Sequence, residues 1–227
     1  YQVRIATRRP QRCYAMRTYG TPGQVMPILY DPARPDTIAS AIYGAEIVVN
    51  TVGILYERRR ATFHAAHVEL PRQIATACKR SNVKRFVHLS ALGIDTARSK
   101  YAKTKLQGEQ VIRDIFAGTI ILRPSVIFGP DDGFFNMFAR LAQISPALPL
   151  IGGGKTKFQP VFVGDVARAV VLAATGPDQL VGQTYELGGP DQVTFRDIYN
   201  RLFNVIGTTR FLIPLPFPIA KIQGRVM

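Results

Sequence analysis

The chain alternates between short runs of β-branched and aliphatic residues and longer segments whose apolar positions repeat at helical spacing. Strand patterns occur at residues 2–7, 25–29, 46–52, 83–90, 119–122 and 183–187. Helical patterns occur at residues 37–43, 63–80, 101–116, 134–144, 165–175 and 195–206. Strands that alternate with helices in this way predict βαβ units, in which a parallel sheet carries helices on both faces. The β-branched run Ile47-Val48-Val49 is typical of a buried parallel strand.

This order of elements predicts an α/β fold of the Rossmann type, a doubly wound parallel sheet with a small C-terminal lobe. Ligands of such sheets bind at the carboxyl ends of the strands. The alternation becomes less regular after about residue 134, where Gly, Pro and aromatic residues are more frequent. We therefore predict a nucleotide-binding domain over residues 1–133. A mixed region over residues 134–227 would complete the sheet and form a smaller lobe for a substrate or a partner.

The N-terminal residues resemble the second strand of such a fold rather than its first. Dinucleotide folds normally open with a strand, a Gly-rich turn such as GxGxxG and a helix, which together hold the pyrophosphate. The glycine cluster Gly152-Gly153-Gly154 has no strand–turn–helix pattern around it. We expect the first strand and the Gly-rich loop to be absent from this chain. A fragment is favoured over a protein that never had the loop, because the first strand is central in these sheets.

The charge of the chain indicates an anionic partner. Basic residues outnumber acidic ones by 29 to 15, which gives a formal net charge of +14. Such a chain is attracted to polyanions, but no nucleic-acid-binding motif accompanies the charge, so we expect a partner protein or an anionic membrane surface and no nucleic acid. The apolar stretch at residues 211–219 contains three prolines, which exclude a regular helix. It could lie against a membrane interface or a partner.

Metal and disulfide chemistry have little support in the sequence. The two cysteines form no CxxC motif, so the chain is not a disulfide scaffold. His64 and His67 are three residues apart, but no further ligand is suitably spaced. We interpret both histidines as structural and predict no metal site.

The end of the second strand of such a fold reads the adenosine ribose. An acidic residue there binds the 2′-hydroxyl of NAD, whereas an arginine accommodates the 2′-phosphate of NADP. Here Arg8 and Arg9 follow the strand without an acidic residue, and a guanidinium pairs well with a phosphate. We predict NADP(H) as the cofactor, with an ordinary surface arginine pair as the alternative. Asp31 follows the next strand and could bind the adenine amine or simply precede a helix.

Two further segments lie where the dinucleotide would pass. Small residues after the strand at 46–52 allow close approach of the dinucleotide to the backbone. The loop residues that we predict to contact it are Thr51, Val52 and Gly53. The stretch RPSVIFGP begins at residue 123, and backbone groups just after Pro124, at Ser125 and Val126, could hold the nicotinamide amide.

Tyr101 and Lys105 form a YxxxK pair whose side chains share one helix face. The lysine ammonium can bind the nicotinamide ribose hydroxyls and lower the pKa of Tyr101, which would then act as general acid/base in hydride transfer. The spacing alone is a weak signal. Its position strengthens it, because the pair follows by one loop a strand that ends at Ser90, whose hydroxyl could bind a substrate oxygen. The same three residues could also serve as a cofactor cradle without turnover.

These motifs together resemble the short-chain dehydrogenase/reductase superfamily, in its extended or atypical branch. The matching motifs are HLSA at residues 88–91, YxxxK at 101–105, RPSxxFGP from 123 and QPVFVGDVA at 159–167. Within the superfamily the chain is similar to a family of NADPH-binding accessory subunits of respiratory complex I (NADH:ubiquinone oxidoreductase) and their bacterial relatives. That similarity lies in residues 49–55, 128–136, 148–154 and 155–161.

The resemblance implies a tightly bound NADPH that is not turned over. It implies an accessory subunit whose partners are the other subunits of complex I, with a contact to the anionic membrane surface. The protein would then be peripheral on the inner membrane, on the bacterial cytoplasmic face or the mitochondrial matrix side. Two alternatives stay open. One is a free-standing NADP-dependent oxidoreductase, epimerase or dehydratase that uses Tyr101, Lys105 and Ser90; the other is a redox-sensing NADP-binding regulator.

Overall fold

The computed structural model describes residues 1–58 and 61–216. The strands are β1 (Val3–Thr7), β2 (Val25–Leu29), β3 (Ile47–Asn50), β4 (Arg85–Leu89), β5 (Ile120–Pro124), β6 (Ile127–Phe128), β7 (Ala147–Ile151), β8 (Lys157–Phe158), β9 (Val161–Phe162), β10 (Thr184–Leu187), β11 (Val193–Thr194) and β12 (Phe211–Leu215). The α-helices are α1 (Pro35–Ile42), α2 (Leu70–Arg80), α3 (Lys100–Ile115), α4 (Phe135–Ile144), α5 (Val163–Thr175) and α6 (Phe195–Ile206). Three 3-10 helices (Pro10–Tyr19, Gly152–Gly154, Asp178–Leu180) and one π-helical turn (Ala65–Glu69) complete the elements of the described residues.

A parallel sheet organises the first of two compact units, which comprises residues 1–123 and 170–185. Its strands lie in the order β10-β5-β4-β3, and β1 pairs with β2 in a separate parallel ladder. β3 runs parallel to β4, and β4 runs parallel to β5. The prediction of a Rossmann-type fold with a parallel sheet is confirmed.

β1 and β3 belong to separate ladders within the described residues. Doubly wound sheets of this type have the order 3-2-1-4-5-6. If β2 and β1 take the third and second places and β3 takes the fourth, the first strand belongs between β1 and β3. Among the described residues β1 pairs with β2 alone and β3 with β4 alone. The Arg4 guanidinium of β1 donates to the Tyr43 carbonyl just before β3, over 2.8 Å.

The core of the first unit lies where α1, α2 and α3 cover the sheet. It is built from fully buried aliphatic and aromatic side chains, whose removal from water stabilises the fold by roughly 25 cal/mol per Å². Its members include Ile38, Leu70, Cys78, Phe86 and Ile112. The core anchors β4 through the buried Phe86 and β3 through the partly buried Val48.

The helix predicted at residues 63–80 is continuous but contains the π-helical turn just before α2. This turn faces α3 at Gly108, where any Cβ would collide with the carbonyl oxygen of His67. Glycine at this position therefore allows the two helices to approach each other closely. The sequence pattern predicts the helix correctly but not the π-helical turn within it.

The second unit comprises residues 124–169 and 186–227, of which the structure describes those up to 216. Its short strands pair as β6-β9 and β7-β12, both parallel, and β8-β11, antiparallel. Aromatic side chains dominate its core, where Phe138, Phe195 and Tyr199 pack edge to face or tilted. α6 begins with a capping box between Thr194 and Asp197, which satisfies backbone donors at its N-terminus.

The structure divides the chain differently from the predicted boundary at residue 133. The first unit ends at residue 123 and regains residues 170–185, because β10 returns to pair with β5. Such a return is a long-range pairing that local patterning does not reveal. The proline-containing stretch also has a definite structure, since residues 211–215 form β12 along β7. Residues 217–219 of that stretch lie outside the described residues.

Two searches of the described residues bear on membrane and metal sites. No helix there combines the length and apolarity needed to cross a bilayer. No group of three or more metal-ligating side chains occurs there either.

Candidate nucleotide-binding site

The loop after β3, residues 51–54, is held by a buried amide–imidazole pair. Asn50 ends β3 and is 3% exposed; His88 on the neighbouring β4 is 1% exposed. The Asn50 Nδ2 atom donates to His88 Nδ1 over 3.0 Å, while Asn50 Oδ1 accepts from the Val52 backbone N–H. Burial, together with the charge of Lys105, lowers the pKa of His88 to about 3. The imidazole is therefore neutral, and its Nδ1 atom is free to accept.

The same loop is held from the other side by His67. Its Nε2 atom accepts from the Ile54 backbone N–H over 3.2 Å. Its Nδ1 atom lies 3.1 Å from Thr104 Oγ1 on α3. The loop that we predicted to contact a dinucleotide is thus tied at both ends, through Asn50 and through Ile54, to buried imidazoles.

Lys105 brings a buried amino group to this loop. The residue is 4% exposed, and its Nζ atom donates to the Leu89 carbonyl over 2.9 Å. A Cβ at Gly53 would lie 4.0 Å from that Nζ atom, so the glycine leaves the space beside the amino group open. Burial lowers the pKa of Lys105 to about 8, opposed by the nearby Glu109 carboxylate. At neutral pH the ammonium is charged but poorly solvated, and a charge in this state favours an anionic or hydroxyl-rich ligand.

Lys105 borders this loop, and Tyr101 packs against His67, which holds the loop; the pKa of Tyr101 moves in the opposite direction from the prediction. The Tyr101 ring packs edge-on against His67, with centroids 5.1 Å apart, and against Phe63 at 5.8 Å. Burial raises the pKa of Tyr101. Desolvation by this aromatic packing outweighs any effect of the lysine charge, so the phenol stays protonated at neutral pH.

Ser90 lies directly after β4, next to the carbonyl that holds Lys105. It is 7% exposed, and its Oγ atom has no hydrogen-bond partner within the described residues. A buried hydroxyl without a partner destabilises the fold by about 1–3 kcal/mol. Such a group indicates a ligand that supplies the missing hydrogen bond.

The predicted ribose-binding residues lie at the carboxyl ends of β1 and β2. Arg8 and Arg9 directly follow β1 and are exposed. Tyr30 follows β2, and the charge of Arg8 acts to lower its pKa. Burial is the larger influence, so the pKa of Tyr30 is raised. Asp31 Oδ1 accepts from the Ala33 backbone N–H over 2.9 Å, so part of this carboxylate is used in a local turn. Arg8 remains available at the edge where a 2′-phosphate would lie.

Residues 123–126, which begin the RPSVIFGP stretch, form hydrogen bonds within each of the two units. In the first unit, Arg123 forms a bidentate pair with the buried Glu109 carboxylate, at 3.0 and 2.8 Å. In the second unit, the Ser125 N–H donates to the Leu187 carbonyl and the Val126 carbonyl accepts from Val161. These two backbone groups therefore pair strands, and neither is placed to hold a nicotinamide amide.

The residues of the first unit fit the nicotinamide half of a dinucleotide. Ser90 supplies an unpartnered buried hydroxyl, and Lys105 supplies a buried ammonium beside the open space at Gly53. A ribose offers hydroxyl groups that match both donors. Thr51 is exposed and Val52 is half-buried on the same loop. The predictions for Thr51, Val52, Gly53, Ser90, Tyr101 and Lys105 therefore concern one neighbourhood.

Sequence reasoning missed the role of three buried polar residues, Asn50, His67 and His88. Asn50 and His88 were visible only as parts of motifs, and His67 was interpreted as structural. A signal was present, since His67 follows Phe63 by four residues on the apolar face of its helix. A polar side chain on a buried face needs hydrogen-bond partners, and here these are the loop and α3.

Comparison with characterised proteins reveals relatives along most of the chain. The mitochondrial NADH dehydrogenase [ubiquinone] 1 alpha subcomplex subunit 9 of Arabidopsis thaliana is 34% identical over 91% of this chain and 52% of its own length. The Mus musculus protein of the same name is 36% identical over 92% of this chain and 56% of its own. The chain thus spans about half the length of these relatives. A ceramide reductase of Caulobacter vibrioides is 27% identical over 83% of this chain and 59% of its own length.

Solved structures share the fold at low sequence identity. UDP-glucuronic acid 4-epimerase from Bacillus cereus, in complex with UDP-glucuronic acid and NAD, superposes with a TM-score of 0.79 at 18% identity, covering 95% of this chain and 78% of that one. dTDP-glucose 4,6-dehydratase from Streptomyces venezuelae gives 0.77 at 17% identity, covering 95% and 75%. A family model described as the NAD dependent epimerase/dehydratase family matches residues 26–188. Since this match includes most of the chain, the protein belongs to the NAD dependent epimerase/dehydratase family.

Proposed function

We propose that the protein is an NADP(H)-binding accessory subunit of respiratory complex I that holds its nucleotide without turning it over. The observation that carries this proposal is the contrast between Lys105 and Tyr101. Lys105 is positioned beside Gly53 to bind a ribose, whereas burial raises the pKa of Tyr101, so that the phenol is not activated as a general base. The names of the relatives, subunits of NADH dehydrogenase, support the same assignment.

Each residue of the site has a part in holding the nucleotide. Lys105 Nζ and Ser90 Oγ would bind ribose hydroxyls, and the Thr51–Gly53 backbone would border the phosphates. A bound nicotinamide supplies hydride-transfer chemistry. The raised pKa of Tyr101 disfavours the removal of a proton from a substrate hydroxyl during oxidation, because the phenolate that would accept it is rarely formed at neutral pH. The proposal therefore assigns the site to retention of the cofactor.

Selection of NADP(H) over NAD(H) would rest on Arg8. We expect Arg8→Ala to weaken NADPH binding by about 10- to 100-fold, the effect of losing a charge-assisted hydrogen bond. NADH binding should change by less than about twofold, because NADH has no 2′-phosphate. Titration of each nucleotide by fluorescence or calorimetry measures both affinities.

The control for Arg8 is Arg80→Ala, which removes the same charge from the exposed end of α2. That helix leads into the amino end of β4, at the sheet edge opposite the proposed site. Both affinities should then stay at the wild-type value. Equal weakening of NADPH and NADH in Arg8→Ala would contradict a phosphate-selective arginine.

Membership of a respiratory complex is tested in the membranes of the source organism. We expect the tagged protein to co-migrate with NADH:ubiquinone oxidoreductase activity in native gels and to retain NADP(H) after washing. On its own it should show no turnover of ketone or nucleotide-sugar substrates. A protein that migrates alone and exchanges its cofactor freely would overturn the proposal.

The contact with the complex would use apolar and cationic surface of the second unit. Ile144 and Phe211 are 82% and 79% exposed, and they line a surface cavity of about 540 Å³ together with Arg210. Large exposed apolar side chains beside an arginine are typical of protein interfaces. The protein would then be peripheral on the inner membrane, and its basic surface would also suit anionic lipid.

A free-standing reductase, epimerase or dehydratase is the second candidate. It is favoured by one observation, the presence of Ser90, Tyr101 and Lys105 in one neighbourhood. In this reading the protonated Tyr101 would donate the proton that accompanies hydride transfer to a substrate carbonyl. Steady turnover by the isolated protein, abolished in Tyr101→Phe, would establish it over the accessory-subunit reading.

A further inference from the structure

His67 lies between the nucleotide loop and the helix that carries Tyr101 and Lys105. It is 1% exposed, and both of its ring nitrogens have partners. Nε2 accepts from the Ile54 backbone N–H over 3.2 Å, and Nδ1 lies 3.1 Å from Thr104 Oγ1. One side chain thereby joins the loop to α3.

The partners of His67 determine its tautomer. A backbone N–H can only donate, so Nε2 carries no proton. The Thr104 hydroxyl lies 3.0 and 2.9 Å from the carbonyls of Lys100 and Tyr101, to which it donates. Its oxygen therefore accepts from Nδ1–H, and the ring is neutral. Burial and the charge of Lys105 lower the pKa of His67 to about 4, which agrees with this assignment.

The backbone and the aromatic neighbours hold the ring in place. His67 lies at the centre of the π-helical turn, a distortion that is frequent at functional sites. Its ring stacks on Phe63 with centroids 5.4 Å apart and meets the Tyr101 ring at 87°. The absence of a Cβ at Gly108 lets the His67 carbonyl touch α3. The imidazole therefore cannot shift without moving the loop, α3 or both.

We propose that His67 is a positioning residue for the nicotinamide half of the bound nucleotide. It fixes the Gly53–Ile54 backbone against α3, so that Lys105 Nζ stays beside Gly53 where the ribose is to bind. The proposal rests on the proposed binding of NADP(H). It assigns His67 no contact with the nucleotide itself.

The test compares two nucleotides on the full protein, NADPH and adenosine 2′,5′-bisphosphate, which lacks the nicotinamide half. His67→Phe keeps an aromatic ring but loses both hydrogen bonds. We expect it to weaken NADPH binding about tenfold, equivalent to about 1.4 kcal/mol. Affinity for the bisphosphate should stay within about twofold of the wild type. His67→Gln, whose amide can donate and accept, should recover part of the NADPH affinity.

Cys78→Ala is the matched control, because it removes a fully buried side chain from α2 in the same core. It should lower the unfolding temperature and leave both affinities unchanged. Unaltered NADPH binding in His67→Phe, or an equal loss of affinity for both nucleotides, would overturn the positioning role. If His67→Phe does not fold, the two affinities of His67→Gln are compared in the same way. A wild-type protein that binds neither nucleotide would overturn the proposed function, and this inference with it.

Discussion

Acidification from pH 7 to pH 4.5 is expected to lower the free energy of unfolding by about 5 kcal/mol, since each unit of pKa shift contributes about 1.36 kcal/mol. The cause is the pair of buried neutral histidines. The pKa is lowered from 6.5 to about 4 in His67 and to about 3 in His88. Below pH 6.5 the unfolded chain binds protons that the folded protein rejects, so stability falls as the pH falls. The contribution of the two neutral histidines to stability is present in full above pH 6.5. About half of the loss should appear by pH 5.5.

Urea unfolding at pH 7, 5.5 and 4.5 measures this dependence. His88→Gln should remove about half of it, because each histidine supplies a similar share. Carboxylates with a lowered pKa, such as Glu57, lose their contribution only below their ordinary value of 4.5, as the pH falls towards the lowered pKa of the folded state. An unfolding free energy that stays constant from pH 7 to pH 5.5 would refute the assignment of neutral buried imidazoles.

The regular part of the fold follows from local patterning. The strand at residues 25–29 and the helix at residues 195–206 have the predicted bounds, because apolar periodicity and a capping residue are local signals. Two-residue strands such as β6 and β9 carry no recognisable period. The ten-residue 3-10 helix at Pro10–Tyr19 buries none of its side chains, so no apolar pattern could have revealed it.

Local patterning does not reveal strand pairings that depend on distant parts of the chain. β12 contains Pro214 and still pairs with β7, since a strand at the edge of a two-stranded ladder can tolerate a residue without an N–H. The return of β10 to β5 joins residues about sixty positions apart. Such pairings are set by tertiary packing, which overrides local preference.

Within the site, motif spacing predicts which residues come together but not their protonation. Tyr101 and Lys105 share a neighbourhood because four residues advance a helix by about one turn. The pKa of Tyr101 depends instead on Phe63 and His67, which reach it from another helix. Spacing along one helix therefore indicates proximity to Lys105 but contains no information about desolvation by neighbouring elements.

Lys105→Met is expected to make the protein more stable while it loses its nucleotide. Burial lowers the pKa of Lys105 from 10.5 to about 8, so at pH 7 the charged ammonium destabilises the folded state by about 3 kcal/mol. Methionine keeps the unbranched shape and most of the length of the side chain without the charge. The lost hydrogen bond to the Leu89 carbonyl opposes the gain by about 1 kcal/mol. We expect a net increase in the free energy of unfolding of about 2 kcal/mol.

The same substitution should weaken NADPH binding by at least about tenfold, because the ribose loses a charged donor. Lys103→Met is the control, since it removes an exposed lysine from the same helix, and it should change neither stability nor affinity. Urea unfolding at pH 7 and a fluorescence titration measure the two effects on one preparation. In the wild type, stability should also rise between pH 8 and pH 10.5, as the buried ammonium loses its proton. We interpret Lys105 as a residue that binds the ligand and destabilises the fold. A Lys105→Met protein that is less stable than the wild type, or that binds NADPH equally well, would contradict this interpretation.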